Sequence, residues 1–329
     1  MEYYLYSVDL PFSGVKLNYR ELNNREYIML SKANAMLPLT TEYAPEYAAF
    51  LQKILMNCVE DKEEFLKLNI IEYIMFACKL RMVSIGNEIE LQIDDSNKEV
   101  ETSIIKLNLN LQKLIIDLYN LCQDSLSETY IEENGVYVIL DWPNLKSELN
   151  FLTNQTVYAD NTILAILESV PEFIKKISIN NQDINMSGFT SSQRSDLYNK
   201  LPTKIQNKIQ TIVLRAIKYF TENTVFNEAI SKYLKLSFYN LSCQNLLRLF
   251  FAENIQNIYQ QYYVLASKNI SPDYLDKVSI ADRQVYYSFV EEEYKSKQAD
   301  QENSNYLNEG PTSFESAFGG GEMGEAGDN

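Results

Sequence analysis

Histidine is absent from this chain, which removes the side chain that most often shuttles protons near neutral pH and most often ligates metals. Catalytic triads and common zinc sites depend on it. Cysteine is scarce: Cys58, Cys78, Cys122 and Cys243 lie too far apart for a CxxC redox or zinc pair and read as buried thiols. No uninterrupted apolar run is long enough to span a bilayer. The most hydrophobic stretch, Ile70 to Leu80, is broken by Glu72 and Lys79. Few cysteines, with neither a basic nor an apolar leader segment in MEYYLYSVD, point to a reducing cytoplasm and away from secretion. Basic residues are also short, 29 against 45 acids, and the net charge of −16 opposes binding to duplex nucleic acid, which needs clustered cations to replace counterions. The remaining partner class is protein.

What is present is unevenly spread. Residues 291–329 hold ten acids against two lysines, half the net charge of the chain. Only Gly14, Gly86, Gly135 and Gly188 precede Gly310, and the other glycines lie between Gly310 and Gly327. A segment such as NEGPTSFESAFGGGEMGEAGDN buries too little apolar surface to offset its ordering entropy, so residues 299–329 are expected to form a disordered acidic tail. The whole chain, 329 residues and 46% hydrophobic, suffices for two packed units besides this tail.

Tyr3 to Pro11 reads as extended, and VKLNYREL from Val15 to Leu22 alternates in strand fashion, together an edge hairpin. Asn23 or Asn24 can cap a helix from Arg25 to Met36, ended by Pro38. Further helices are expected over Glu46–Val59 and Lys62–Val83. After Gly86, EIELQI and ETSIIKLNL alternate as strands across the polar turn Asp94–Lys98, and Asn110–Cys122 is helical by period. Tyr130–Leu140 encloses Asn134-Gly135 between alternating runs, the strongest hairpin signal here. Beyond Trp142-Pro143 the periodicity predicts helices near 144–152, 159–169, 190–200, 203–222, 225–235, 242–266, 271–277 and 280–298. The expected fold class is mainly α (α+β): a helical protein with a small antiparallel β subdomain and an all-helical C-terminal half. Residues 1–142 would hold the sheet among helices, 143–298 would be helical, and 299–329 would be the tail. No strand is followed by a Gly-rich turn, so neither a dinucleotide fold nor a phosphate loop is supported.

Candidate chemistry is thin. Asp94-Asp95 could attract a hard cation, but it sits in a turn, where Asp is favoured for backbone reasons. Glu132-Glu133 beside the Asn-Gly turn, and Glu291-Glu292-Glu293, read as solvated acids. No catalytic, cofactor or metal-binding residue is assigned, and the chain is not expected to be an enzyme. Tyrosine is abundant, 24 in all, with clusters at Tyr259, Tyr262, Tyr263 and at Tyr286, Tyr287. Base-stacking proteins interleave such rings with cations, whereas here acids dominate, so these rings fit packing or a protein interface. Ile255, Ile258, Tyr259, Tyr262 and Leu265 recur at spacings of three and four, a stripe suited to a partner helix. Arg81, with Ser84 and Gly86, is the most specific local feature. Gly86 would permit the helix-to-strand junction and Arg81 would complement the helix dipole, or Arg81 would contact a partner.

The helix LKLNIIEYIMFACKLR from Leu66 to Arg81, followed by Ser84, Gly86 and acidic-apolar strands, resembles the baseplate hub assembly proteins of T-even-like phages. In the same order come ELNNREYIMLSKAN, KILMNCV before an acidic loop, the Asn134-Gly135 hairpin into VILDWPNLK, and an isoleucine-rich strand leading to a helix pair around Leu201-Pro202. One departure is Asn69, where the family pattern has an acid before the helix. The likeness covers roughly residues 20–220, and Ile258 to Tyr294 is similar to a fused helical module of phage hub or tail-chaperone proteins. The resemblance implies a non-catalytic, chaperone-like factor that binds hub or tape-measure proteins in the host cytoplasm during assembly, or else a structural subunit of the virion baseplate. It transfers no catalytic residue. Arg81, Ile255, Ile258, Tyr259, Tyr262, Tyr263, Tyr286 and Tyr287 are the candidate protein-contact residues, with no cofactor, nucleic-acid or membrane partner expected.

Overall fold

The computed structural model describes residues 4–36, 44–94, 104–126, 130–145, 153, 157–158, 161–180, 182–223, 247–248, 250–251 and 254–308. The protein is mainly α, with small antiparallel sheets and a C-terminal half dominated by helices. β1 (Tyr6–Asp9) and β2 (Lys16–Tyr19) form the first hairpin, in register from Tyr6↔Tyr19 to Asp9↔Lys16. α1 (Asn24–Met36) follows. Its cap is Asn23, whose Oδ1 accepts from the Glu26 N–H at 2.8 Å while the Glu26 carboxylate accepts from the Asn23 N–H at 3.1 Å. Glu26 also receives both guanidinium nitrogens of Arg20, at 2.7 and 2.8 Å.

After α2 (Ala44–Asn57), the helix expected from Lys62 to Val83 is split into α3 (Lys62–Leu66) and α4 (Ile70–Ser84). The split has a local cause: Asn69 is extended and accepts from the Glu72 N–H at 2.8 Å, starting a new helix. α4 is apolar on nearly every side and accordingly lies at the centre, buried from Ile70 through Cys78. Phe76 meets Tyr19 and Phe65 edge to face at 5.3 and 5.6 Å between ring centroids. Glu72 is buried there too. Its Oε1 accepts from the N–H groups of Phe12 and Ser13, each at 2.8 Å, which ties the turn of the first hairpin to the start of α4.

β3 (Glu88–Asp94) and β4 (Ile104–Asn110) pair from Glu88↔Asn110 to Asp94↔Ile104. Asp94 ends a strand, and the rest of the expected turn, with Asp95, lies outside the described residues. Asn110 then caps α5 (Leu111–Ser125), accepting from the Lys113 N–H at 3.0 Å. β5 (Tyr130–Glu133) and β6 (Val136–Leu140) enclose Asn134 and Gly135 at φ 51° and 75°, the left-handed pair that a two-residue hairpin requires.

The region from residue 143 is not helical throughout. Beyond α6 (Thr162–Ser169), β7 (Ile174–Ile179) and β8 (Gln182–Asn185) join β5 and β6 in one sheet of order β5-β6-β7-β8. This corrects the helical reading of 143–298, because β6 pairs with β7 across the expected 142/143 boundary, from Val136↔Ile179 onward. Alternate residues Ile131, Val136, Val138, Leu140, Ile174 and Ile177 are buried in the sheet, so the hydrophobic gain comes from closing it as one layer. Arg194 of α7 (Ser191–Lys200) fastens the end of that layer, donating to the carbonyls of Ile174 at 3.1 Å and Met186 at 2.7 Å. α8 (Thr203–Asn223) lays Ile205, Ile209, Val213 and Ala216 into the core between α5 and β5.

The helix expected over 242–266 is broken: Leu247, Arg248 and Phe250 are helical, Phe251 and Asn254 are not, and residues 242–246 lie outside the described residues. α9 (Ile255–Ser267) begins where Asn254 caps it, accepting from the Gln256 N–H at 2.9 Å. The short α10 (Pro272–Leu275) leads to α11 (Ile280–Asn308), which extends ten residues into the segment expected to be disordered. Helix-compatible Lys, Gln, Ala and Glu run without glycine or proline until Gly310, which accounts for the continuation. The expected helix over 225–235, most of that over 144–152, Cys243 and the tail from 309 lie outside the described residues. Replacing Glu72→Ala leaves the two N–H groups of the hairpin turn without their acceptor. Urea denaturation is expected to show a loss of about 3 kcal/mol, against less than about half of that for Glu72→Gln, which keeps an acceptor oxygen.

Candidate functional site

α9, α10 and α11 are stitched to the N-terminal part of the chain by one side chain. Asn24, fully buried, points its amide at the carbonyls of Leu275 (2.9 Å), Val278 (3.1 Å) and Ser279 (2.9 Å), and its own N–H donates to the Val278 carbonyl at 3.1 Å. The Arg25 N–H adds a bond to the Asp276 carbonyl at 3.2 Å. At the other end of α1, the Asn34 amide donates to the carbonyls of Arg248 and Phe251, both at 3.2 Å. Apolar burial completes the joint through Ile258, Leu265, Leu275, Val278 and Ile280.

This packing divides the stripe predicted on α9. Ile258 and Tyr262 turn inward with Leu265, and the Tyr262 hydroxyl donates to Asp276 Oδ1 at 3.1 Å. Burial, then the adjacent Asp276 carboxylate, pushes that phenol well above its ordinary range. Tyr259 and Tyr263 turn outward, 45% and 78% exposed, and Ile255 is half-buried. Lys32 of α1 stands 5.4 Å above the Tyr259 ring. On α11, Tyr286 and Tyr287 are half-buried against the core, with the Tyr286 hydroxyl 3.0 Å from that of Tyr274. The outward residues of α11 are Val285 and Phe289, one turn apart, with Phe289 62% exposed. The sequence reading missed this pair, whose signal is its four-residue spacing opposite the buried Ile280 and Val290.

Arg81 belongs to a different place. It is buried at the end of α4, where Nη1 donates to the Gly86 carbonyl at 2.6 Å and Nη2 to that of Glu88 at 3.4 Å. Gly86 has φ 144°, a conformation that a side chain disfavours, so the two residues together build the turn from α4 into β3. Arg81 is therefore a joint within the fold and presents no surface to a partner.

The acids likewise resolve into pairs. Glu133 meets both Lys204 and Lys208, and its carboxyl is held below the ordinary range by hydrogen bonds from them. Glu293 bridges Lys268 at 2.7 Å and Lys297 at 2.5 Å, and those two ammonium groups bring its pKa down to about 2. Burial pushes the thiols of Cys58, Cys78 and Cys122 far above their usual value. Among the described residues no group of three or more Cys, Asp or Glu is placed to hold a metal ion, and no helix is long and apolar enough to cross a membrane. The exposed large apolar side chains of these two helices are thus Tyr259 and Tyr263 on α9 and Val285, Phe289 and Tyr294 on α11.

In comparison with known proteins, residues 1–242 match the family model described as T4 bacteriophage base plate protein. No curated protein and no solved structure matches the chain.

Two outcomes are expected from this geometry. Asn24→Asp would set a buried carboxylate against three carbonyl oxygens, a loss of about 3 to 5 kcal/mol, and limited proteolysis should then release residues 254–308 before the remainder. A carbon-detected titration of Glu293 should give a midpoint near 2. Because the folded value lies below the unfolded one of about 4.3, the tie between α9 and α11 is fully present above that value and is lost as the pH falls toward 2.

Proposed function

The chain belongs to the T4 bacteriophage base plate protein family, and from that premise we propose that it is an assembly factor of the baseplate hub that holds hub or tape-measure polypeptide while the baseplate forms. Membership supports a structural or assembly role at the phage baseplate, in contact with other baseplate proteins. The observation that supports the finer reading is the set of exposed aromatic and apolar side chains on α9 and α11. It lies beyond the 242 residues that match the family. Covering a half-exposed aromatic ring contributes about 2 kcal/mol, so Tyr263 and Phe289 with Tyr259 and Val285 suit an amphipathic partner helix. Their rigid anchorage through Asn24 means that little ordering entropy is lost on binding.

A second reading, a structural subunit retained in the baseplate, is favoured by the family description itself. Mass spectrometry of purified virions separates the two: stoichiometric presence supports the subunit, and absence supports the transient factor. The contact surface has its own test. Tyr263→Ser with Phe289→Ser should weaken capture of hub or tape-measure proteins from infected cells by at least about thirtyfold, with the melting temperature unchanged. Ile116→Ser, an exposed apolar position on α5, should leave capture as it is. Undiminished binding by the double variant would remove this face from the proposal.

A further inference from the structure

α8 carries an unusual charge pattern for so acidic a chain. Lys204, Lys208, Arg215 and Lys218 fall on one stripe at helical spacing, and no acid occurs on this helix before Glu222. Between that stripe and β5 lies an open cleft of about 520 Å³. Its floor is the buried pair Ile131 and Ile212, the half-exposed ring of Tyr130 stands at its rim, and Lys204, Lys208 and Arg215 line its wall. Glu133 occupies one side of both lysines, but an ammonium group has three donors, and both side chains remain well exposed toward the cleft. Glu132 at the same rim opposes any anion, and the apolar floor and the Tyr130 ring favour one that brings its own aromatic side chains. The cleft therefore fits a peptide that combines carboxylates with aromatic rings.

The chain contains such a peptide. Residues 309–329 carry Glu309, Glu315, Glu322, Glu325 and Asp328 with no base, and Phe314 and Phe318 are their aromatic residues. We infer that residues 309–329 dock in cis in the α8–β5 cleft, Phe314 and Phe318 against Ile131 and Ile212 beside Tyr130, with the acids facing Lys204, Lys208 and Arg215.

Reach is sufficient. Extended at about 3.4 Å per residue, the segment after Asn308 spans roughly 70 Å, against a radius of gyration of about 19 Å for a domain of this size. Tethering sets an effective concentration of order millimolar, so a weak contact fills the cleft before a free acidic peptide does. This goes beyond the assembly reading and holds whichever baseplate protein α9 and α11 contact.

Carbodiimide cross-linking of the full chain, read by peptide mass spectrometry, tests it, because the reagent joins carboxylates only to amines they touch. The Glu133–Lys208 pair, 2.6 Å apart, is the internal positive control. Links from Glu309, Glu315 or Glu322 to Lys204 or Lys208 within the monomer are expected. Their yield should fall severalfold in about 1 M salt, where the Debye length is roughly 3 Å, and in the variant Phe314→Ser with Phe318→Ser, which leaves the folded body untouched. Control links without tail links overturn the inference, as does a yield indifferent to the phenylalanine changes. Mixing isotopically light and heavy protein decides the route: links between unlike copies would assign the cleft to a neighbour's tail and overturn docking in cis.

Discussion

A carboxylate placed inside a protein must be met by donors or it destabilises the fold by several kcal/mol. Glu72 is placed so, on the helix that every other layer surrounds, and its donors come from the backbone of Phe12 and Ser13, sixty residues earlier. The first hairpin is thereby held over the N-terminus of α4 and cannot slide, because a shift of one residue would leave the carboxylate facing a carbonyl. Other contacts depend on that position. Phe12 stacks on Tyr119 of α5 at 5.3 Å, Tyr19 meets Phe76, and the Leu22 N–H finds the Ser84 hydroxyl at 2.9 Å at the far end of α4. The hairpin in turn delivers the chain to Asn23 and Asn24, where α1 begins.

Adjacent asparagines there perform unlike tasks. Asn23 closes the helix on itself through Glu26, and Asn24, pointing the other way, satisfies three carbonyls of the turn that precedes α11. Buried polar bonds of this kind add little net stability when made and cost much when broken. Their effect is on geometry. They fix the angle at which the C-terminal helices leave the body, and so which of their rings face outward. The surface chemistry of α9 and α11, their exposed tyrosine, phenylalanine and valine, follows from that angle.

Much of the secondary structure was legible because it is written locally. The Asn134-Gly135 turn, the Gly86 junction with Arg81 beside it, and the long periodic run of α8 each depend on residues within a few positions of one another. The split between α3 and α4 was also local, at Asn69, but a cap in the middle of an apolar run is masked by the periodicity on either side. β7 was read from its isoleucines as a strand through family likeness, whereas periodicity alone assigned its surroundings to helices. Its partner β6 lies 34 or more residues away, and pairing over that distance leaves no periodic trace. The exposed side chains of α9 were half legible. Spacing grouped Ile258, Tyr259, Tyr262 and Tyr263 correctly on one helix, yet which of them turn inward depends on where α1 lies. Asn24 and Glu72, on which the arrangement rests, carry no signal, since a single polar residue cannot announce partners sixty or two hundred and fifty positions away.

The span of the Asn24 contacts also sets an order in time. Ribosomes add roughly 5 to 20 residues each second, so α1 emerges tens of seconds before the carbonyls of Leu275, Val278 and Ser279 exist to receive its amide. During that interval the groove beside α1 stands open and wet. It shuts only once residues 275–279 have been made, which makes the turn before α11 the lock on α1, and leaves any copy ended before that turn marked by an unsealed seam.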